Sequence, residues 1–368
     1  MSTLNVNRIV DASGGVMAPI SSVFKNRIIN GAMVIDQRNA GASITPTVSA
    51  FTLDRWVAEI TQGSKFSVEQ TIAGVAAPVG FTDYLGVTST SAYSVLTGDT
   101  FLIRQTIEGF NIADLGWGTA NAKTVTLSFW VRSSLTGTFG GALVNGAATF
   151  RSYPYSYVIS AANTWEYKTI TIAGDTSGTW NTTNGAGIFV RFGLGSGSTF
   201  SGTAGAWATG NFVQPTGTVS VVGTNGATFY ITGVQLERGT QATSFEHRQY
   251  QQELALCQRY YSKSYNTSVV PGTVGNDGAV STSSTATAAG GVITSFGFPV
   301  EMRASPTMTF YSSVTGDSGV WQDAGSATNK TVATYTAAGT RGAAVYNTAA
   351  WSAVGTGAYG HWVASIEI

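Results

Sequence analysis

Among the side chains of this 368-residue chain that could do acid–base or nucleophilic chemistry are nineteen carboxylates, two histidines and one cysteine. The carboxylates are dispersed, and the nearest two in sequence are Asp54 and Glu59, so no local pair sets an acid beside a base. Acids distant in sequence can still converge in space, as glycosidases require. That leaves a glycan depolymerase open, although no parallel β-helix repeat of the sort many such enzymes use is present. His247 falls at a helix start and His361 just before the final strand, so each has a structural reason, and neither a hydrolytic triad nor a zinc site is expected. Cys257 lies on the apolar side of a helix and reads as a small buried hydrophobe. Gly193-Leu194-Gly195-Ser196-Gly197 ends a strand with no following helix and no Lys-Ser/Thr pair, so it reads as a β loop rather than a phosphate cradle. The expectation is a protein with no catalytic residues, no cofactor and no metal site.

Binding chemistry is better represented. Sugar rings present apolar C–H faces that stack on flat aromatics, while Asn, Asp or Gln read the hydroxyls. Trp117, Trp180 and Trp207 fall in loops rich in Gly, Thr and Asn, and Trp351 marks a second such region. Tyr153, Tyr155 and Tyr157 lie on one side of a strand around Pro154. These rings are the glycan-binding candidates, the four tryptophans first; the competing reading is that they fill a core or a subunit seam.

The elements that must position these rings are nearly all β. Val125, Leu127, Phe129 and Val131 alternate with Thr124, Thr126, Ser128 and Trp130, and Ile188, Val190, Phe192 and Leu194 repeat the pattern. In the stretch from Phe229 to Leu236 the apolar phase slips by one at Gly233, as a β-bulge requires. Short strands separated by Gly-rich turns over some two hundred residues favour a β-sandwich. One helix is expected, Gln249 to Tyr261, with Ser244 as N-cap and Tyr250, Leu254, Cys257 and Tyr261 on its apolar face. That face must be buried, near an oligomer axis or between two β units. A linker over 262–290 and a smaller β domain over 291–368 follow.

Only 10% of residues are charged, 19 basic against 19 acidic, with 45 glycines. So little charge implies that some apolar surface is covered by other subunits. The scattered Lys and Arg give no reason to expect nucleic acid. No apolar run reaches membrane-spanning length, and Asn5, Asn7, Arg8 and Asp11 do not form a signal peptide.

The run Val234-Gln235-Leu236-Glu237-Arg238-Gly239, then Ser244-Phe245-Glu246-His247-Arg248, then Glu253-Leu254-Ala255-Leu256-Cys257-Gln258-Arg259-Tyr260-Tyr261, resembles the middle of tail-fibre-like virion proteins of tailed bacteriophages and prophages. Further landmarks are Asn30-Gly31-Ala32-Met33, Leu53-Asp54-Arg55-Trp56, Arg104 to Gly109 and Leu127 to Arg132. With the strand from Ile231 to Glu237 they resemble the jelly-roll carbohydrate-binding-module fold of such proteins. The resemblance implies a jelly-roll over 25–243, a connecting helix within 244–261 and a C-terminal β domain. It also implies a homotrimer assembled in the host cytoplasm into the virion, and adhesion to a host cell-surface glycan. Residues 1–24, with Leu4, Val6 and Ile9, resemble the segment that attaches phage fibres to other virion proteins; a frayed terminus is the alternative. Lectin members often hold calcium, but matching acidic ligands are not found. A capsid fibre or decoration protein and a depolymerase tailspike are the remaining readings.

Overall fold

A computed structural model of the chain describes residues 9–10, 16–17, 24–283, 289–334 and 338–368. Strands β1 (Ile9–Val10) and β2 (Val16–Met17) pair as an antiparallel ladder. Leu4 and Val6, and the turn expected over 11–15, lie outside the described residues. The next strands are β3 (Ala50–Leu53), β4 (Trp56–Ile60), β5 (Phe66–Gln70), β6 (Leu85–Ser89), β7 (Thr100–Glu108), β8 (Val125–Ser133), β9 (Gly137–Asn145) and β10 (Arg151–Ile159). They are followed by β11 (Glu166–Ile172), β12 (Ala186–Ser196), β13 (Ser201–Gly202), β14 (Ala208–Thr209), β15 (Gln214–Pro215) and β16 (Thr228–Arg238). After the helix α1 (Tyr250–Gln258) come β17 (Tyr261–Lys263), β18 (Val280–Ser283), β19 (Val292–Gly297), β20 (Thr307–Ser312), β21 (Val320–Asp323), β22 (Thr328–Thr334), β23 (Gly342–Asn347) and β24 (Gly357–Ser365).

The larger unit is a jelly-roll-like sandwich. A seven-stranded sheet, β14-β10-β9-β12-β7-β4-β3, faces a five-stranded sheet, β11-β8-β16-β6-β5, with antiparallel pairing throughout. Alternation decides which side chains meet between them. Val125, Leu127, Phe129 and Val131 of β8 are fully buried, as are Ile188, Val190, Phe192 and Leu194 of β12. Each such side chain contributes about 1.5–3 kcal/mol by leaving water. The slip at Gly233 is a bulge: Gly233 and Val234 stand against Phe129 alone between the pairs Thr232–Trp130 and Gln235–Ser128. Gly233 has φ +60°, and beyond it Val234 and Leu236 point into the core while Gln235 and Glu237 point out.

The smaller unit curls around β24, which pairs along both edges, with β17 and β18 on one side and β20 and β21 on the other. The stretch 262–290, expected to be a linker, supplies most of β17 and all of β18. β18, Val-Ser-Thr-Ser, carries little apolar signal of its own, because β24 holds it by backbone pairing.

The helix is shorter than expected. Gln249 is its N-cap, five residues beyond Ser244, and it ends at Gln258 because Tyr261 already pairs with Ser365 in β17. Leu254 and Cys257 are buried against Ile29, Ile35 and Tyr260. Tyr250, at the first helical position, is 48% exposed and does not share that face, and Tyr261 is buried from a strand rather than from the helix. The apolar face is therefore covered within the chain, at the junction of the two β units. The same junction holds ion pairs from Arg38 and Arg55 to Glu367 and from Arg259 to Glu108.

Candidate functional site

Three of the four candidate tryptophans converge. Trp117, Trp180 and Trp207 pack edge to face, with ring centroids 4.7 Å apart for the first two and 5.4 Å from each of these to Trp207. Tyr153 adds a ring 5.4 Å from Trp207. Each indole N–H donates to a backbone carbonyl: Trp117 to Lys123 at 2.7 Å, Trp180 to Ser177 at 3.1 Å and Trp207 to Ala173 at 2.7 Å. Trp117 and Trp180 are buried and Trp207 half-buried, so the cluster pins loops at one end of the sandwich and offers little flat face to a ligand. Tyr155 and Tyr157 belong to the sandwich core, and Trp351 to the core of the smaller unit.

An open aromatic groove lies elsewhere, on the outer face of the five-stranded sheet. Trp130 of β8 and Tyr167 of β11 are direct cross-strand partners, their rings 5.4 Å apart. Trp130 points outward because its chain neighbours Phe129 and Val131 point in, and Tyr167, paired opposite it, shares that face. Facing them is a trio from two loops: Phe81 lies 5.1 Å from Phe245 and 5.3 Å from His247, and Phe245 lies 4.9 Å from His247. Together they line a cavity of about 430 Å³ floored by Gly233. Val79, Thr243 and Ser244 complete its rim.

Each wall of the groove is fixed by the sequence around it. The loop before β6 that carries Phe81 is held by Tyr84, whose hydroxyl donates to the carbonyls of Ile72 at 3.0 Å and Val75 at 3.2 Å. Trp165 holds the same loop by donating to Ala76 at 2.8 Å. The segment carrying Phe245 and His247 is stitched to the outward residues of β16. Glu237 accepts the Thr243 N–H at 2.8 Å and its hydroxyl at 2.7 Å, and Gln235 accepts the Glu246 N–H at 2.9 Å. These bonds tie Thr243 and Glu246 to β16, and the cap position falls to Gln249 instead of Ser244.

The other charged residues of that segment clasp the chain entering the sandwich. Glu246 accepts the N–H groups of Phe24 and Asn26, both at 2.7 Å, Arg248 donates to the carbonyls of Asn26 and Ile28, and Glu253 accepts the Asn30 N–H. The motif that carries the resemblance is thus a lock that also presents two rings of the groove.

His361 is committed to structure: Nδ1 meets the Ser264 hydroxyl and Nε2 the Gly275 carbonyl, both at 3.0 Å, and its ring stacks on Tyr265. Burial lowers its pKa, and the Gly275 hydrogen bond works the other way. His247 lines the groove. Burial pushes the Cys257 thiol well up, which disfavours the nucleophilic thiolate. Among the described residues no three His, Cys, Asp or Glu side chains group as metal ligands, and no helix is long and apolar enough to cross a membrane. The sequence reading missed Phe81, Phe245, His247 and Tyr167 as groove residues. The available signal was Trp130, a large ring at an outward position where its neighbours are Ser128 and Arg132.

No protein-family model matches the chain, and no curated protein matches it in sequence. Among solved structures, one described as a family 4 carbohydrate-binding module is 14% identical, covering 57% of this chain and 98% of its own, with a TM-score of 0.28. The N-terminal cellulose-binding domain of Cellulomonas fimi β-1,4-glucanase C is 16% identical over 47% of this chain and 90% of its own, with a TM-score of 0.27. The enzymatically active domain of bacteriophage CBA120 tailspike protein 4 is 12% identical, covering 58% of this chain but 22% of its own, with a TM-score of 0.29. At these values the likeness is slight and concerns the fold alone.

Proposed function

We propose that this chain is a glycan-binding adhesion subunit of a bacteriophage fibre and that the groove between Trp130 and His247 is its sugar-binding surface. The observation that carries the binding half is the groove itself. Four aromatic rings and an imidazole surround a cavity of about 430 Å³, on walls whose loops are held by named hydrogen bonds. A cavity of that size holds one or two sugar units, and Ser244 at its rim can read their hydroxyls. The virion half rests on the resemblance of the 231–261 stretch to phage fibre proteins. On that reading the chain is a homotrimer, residues 1–24 join it to other virion proteins, and its place is on the particle, as a tail fibre or, alternatively, a capsid fibre. It binds rather than cleaves. Affinity per site is shallow, and three subunits on several fibres raise the effective concentration.

The test is attachment of purified Trp130→Ala and Tyr167→Ala proteins to host cells, alongside thermal melting. Each ring contributes about 0.5–1.5 kcal/mol of stacking, so each variant should weaken attachment about two- to tenfold per site. The melting temperature should change little, because both rings lie on the outer face of the sheet. Wild-type attachment by both variants overturns the site. Release of reducing ends from host polysaccharide would mean a depolymerase, and a monomer by light scattering would remove the trimer.

A further inference from the structure

The outer face of the seven-stranded sheet carries a different kind of groove. β4, β7 and β12 turn Glu59, Arg104 and Arg191 outward, and with Ser49, Thr61 and Asn211 they line an opening of about 540 Å³. Arg104 is matched: its Nε lies 2.5 Å from Glu59 Oε2 and its Nη1 donates to the Thr106 hydroxyl. Arg191 is not matched. Only 3% of it is exposed, yet no carboxylate among the described residues pairs with it and its Nε has no acceptor. Its two hydrogen bonds both leave from Nη1, to Asn211 Oδ1 at 2.7 Å and to the Phe212 carbonyl at 2.9 Å. Both guanidinium groups rest on the Phe189 ring, their central carbons 4.9 Å and 5.5 Å from its centroid. The groove therefore holds two cations against one carboxylate.

A buried cation without a counter-ion is unfavourable unless something supplies the missing charge. Burial pulls the Arg191 pKa down to about 10, with Glu59 opposing and Arg104 adding, so the group is still charged at neutral pH. Nε is closed off from solvent and Nη1 is spent, so the donors left for a ligand are those of Nη2, and a carboxylate is the acceptor that gives them a charge-assisted hydrogen bond. We infer that this groove is an acidic-sugar site, in which Arg191 takes the carboxylate of a uronic or sialic acid unit while Glu59, Thr61 and Asn211 meet its hydroxyls. A neutral sugar would leave Arg191 unpaired, and that is the source of selectivity. The site lies on the sheet opposite the aromatic groove and is separate from it, while a sugar as the carrier of the carboxylate rests on the glycan-binding reading above.

The experiment is calorimetric titration of the full chain with oligogalacturonate and with oligosialate. The same oligomers with their carboxyls reduced to alcohols, and inorganic sulfate, serve as controls. At least one acidic oligomer should bind, with its reduced form at least about tenfold weaker, the cost of losing charge-assisted hydrogen bonds. Arg191→Lys keeps the charge but cannot hold Asn211 and Phe212 while also presenting the Nη2 donors, and should weaken binding. Asn211→Asp seats a carboxylate against the guanidinium, so it should abolish binding while the melting temperature holds or rises. A role for Arg191 that is only structural would not produce that combination. Trp130→Ala should leave acidic-sugar binding intact, which separates this site from the aromatic groove. The inference is overturned if neither acidic oligomer binds, if the reduced forms bind equally well, if Asn211→Asp retains binding, or if sulfate binds as tightly as the sugars.

Discussion

Gly233 is where the backbone of the sandwich and the shape of the groove meet. It sits at φ +60°, and a Cβ there would lie 2.6 Å from the Phe81 ring. Gly233→Ala must therefore carry a left-handed backbone that a Cβ disfavours and push a groove ring aside. It should cost about 1–3 kcal/mol in chemical denaturation and also reduce glycan attachment. A variant as stable as the parent would mean that the bulge relaxes without strain. The position was legible in the sequence, because the apolar phase on either side of Gly233 changes and only a bulge reconciles the two runs. The partners of that glycine were not: Phe81 arrives from a loop about 150 residues earlier, and nothing local links it to Phe245. The tryptophans that the loop composition singled out pack on one another instead. Ring type and Gly-rich surroundings do not distinguish an exposed platform from a plug.

At the level of elements, the segment 244–248 works as a clasp, and its hold on the incoming chain can be measured. Glu246 receives two backbone N–H groups, from Phe24 and Asn26. Glu246→Ala leaves both without that acceptor, and hydrogen bonds to a charged group contribute about 1.5–3 kcal/mol each. Amide exchange at Phe24 and Asn26 should speed up by about tenfold or more, with little change at core amides such as those of β12. Unchanged exchange at the two amides would mean that Arg248 and Glu253 hold the segment alone. Strands with strict alternation, β8 and β12 above all, were readable from their own residues. The helix was readable in type but not in extent. Its start is displaced by Gln235 and Glu237, which tie Thr243 and Glu246 to β16, and its end by a strand partner far along the chain.

For the whole molecule, the junction of the two β units contains a buried acid with an unusual proton affinity. Burial raises the Asp54 pKa to about 7, Arg38 and the Gln37 hydrogen bond oppose it, and Glu367 and Asp36 add to it. An acid that is protonated more readily when folded favours the folded state most at low pH. Its contribution is complete below the unfolded value of 3.8 and is lost as pH rises towards 7. Asp54→Asn removes this term, so the variant should melt progressively higher relative to the parent as pH goes from 4 to about 7, and level off above that. A difference that stays constant across that range would place the Asp54 charge elsewhere in the balance. Asp323 does not obscure the comparison. Burial works to raise its pKa, but hydrogen bonds from Ser352, Ser326 and Gly325 outweigh it and hold the value at about 2, below the range compared. The pairing of β24 along both edges has a further consequence, for the order of events during translation. β17, β18, β20 and β21 all wait for a strand that leaves the ribosome after every one of them, and Tyr261 meets Ser365 across roughly a hundred residues. The sandwich can close while the smaller unit is still without its central strand, and the Glu367 contacts to Arg38 and Arg55 form only after that strand arrives. Nascent chains stalled before Gly357 should therefore carry a protease-resistant sandwich on an open second unit, with the joint between the two the last part of the protein to set.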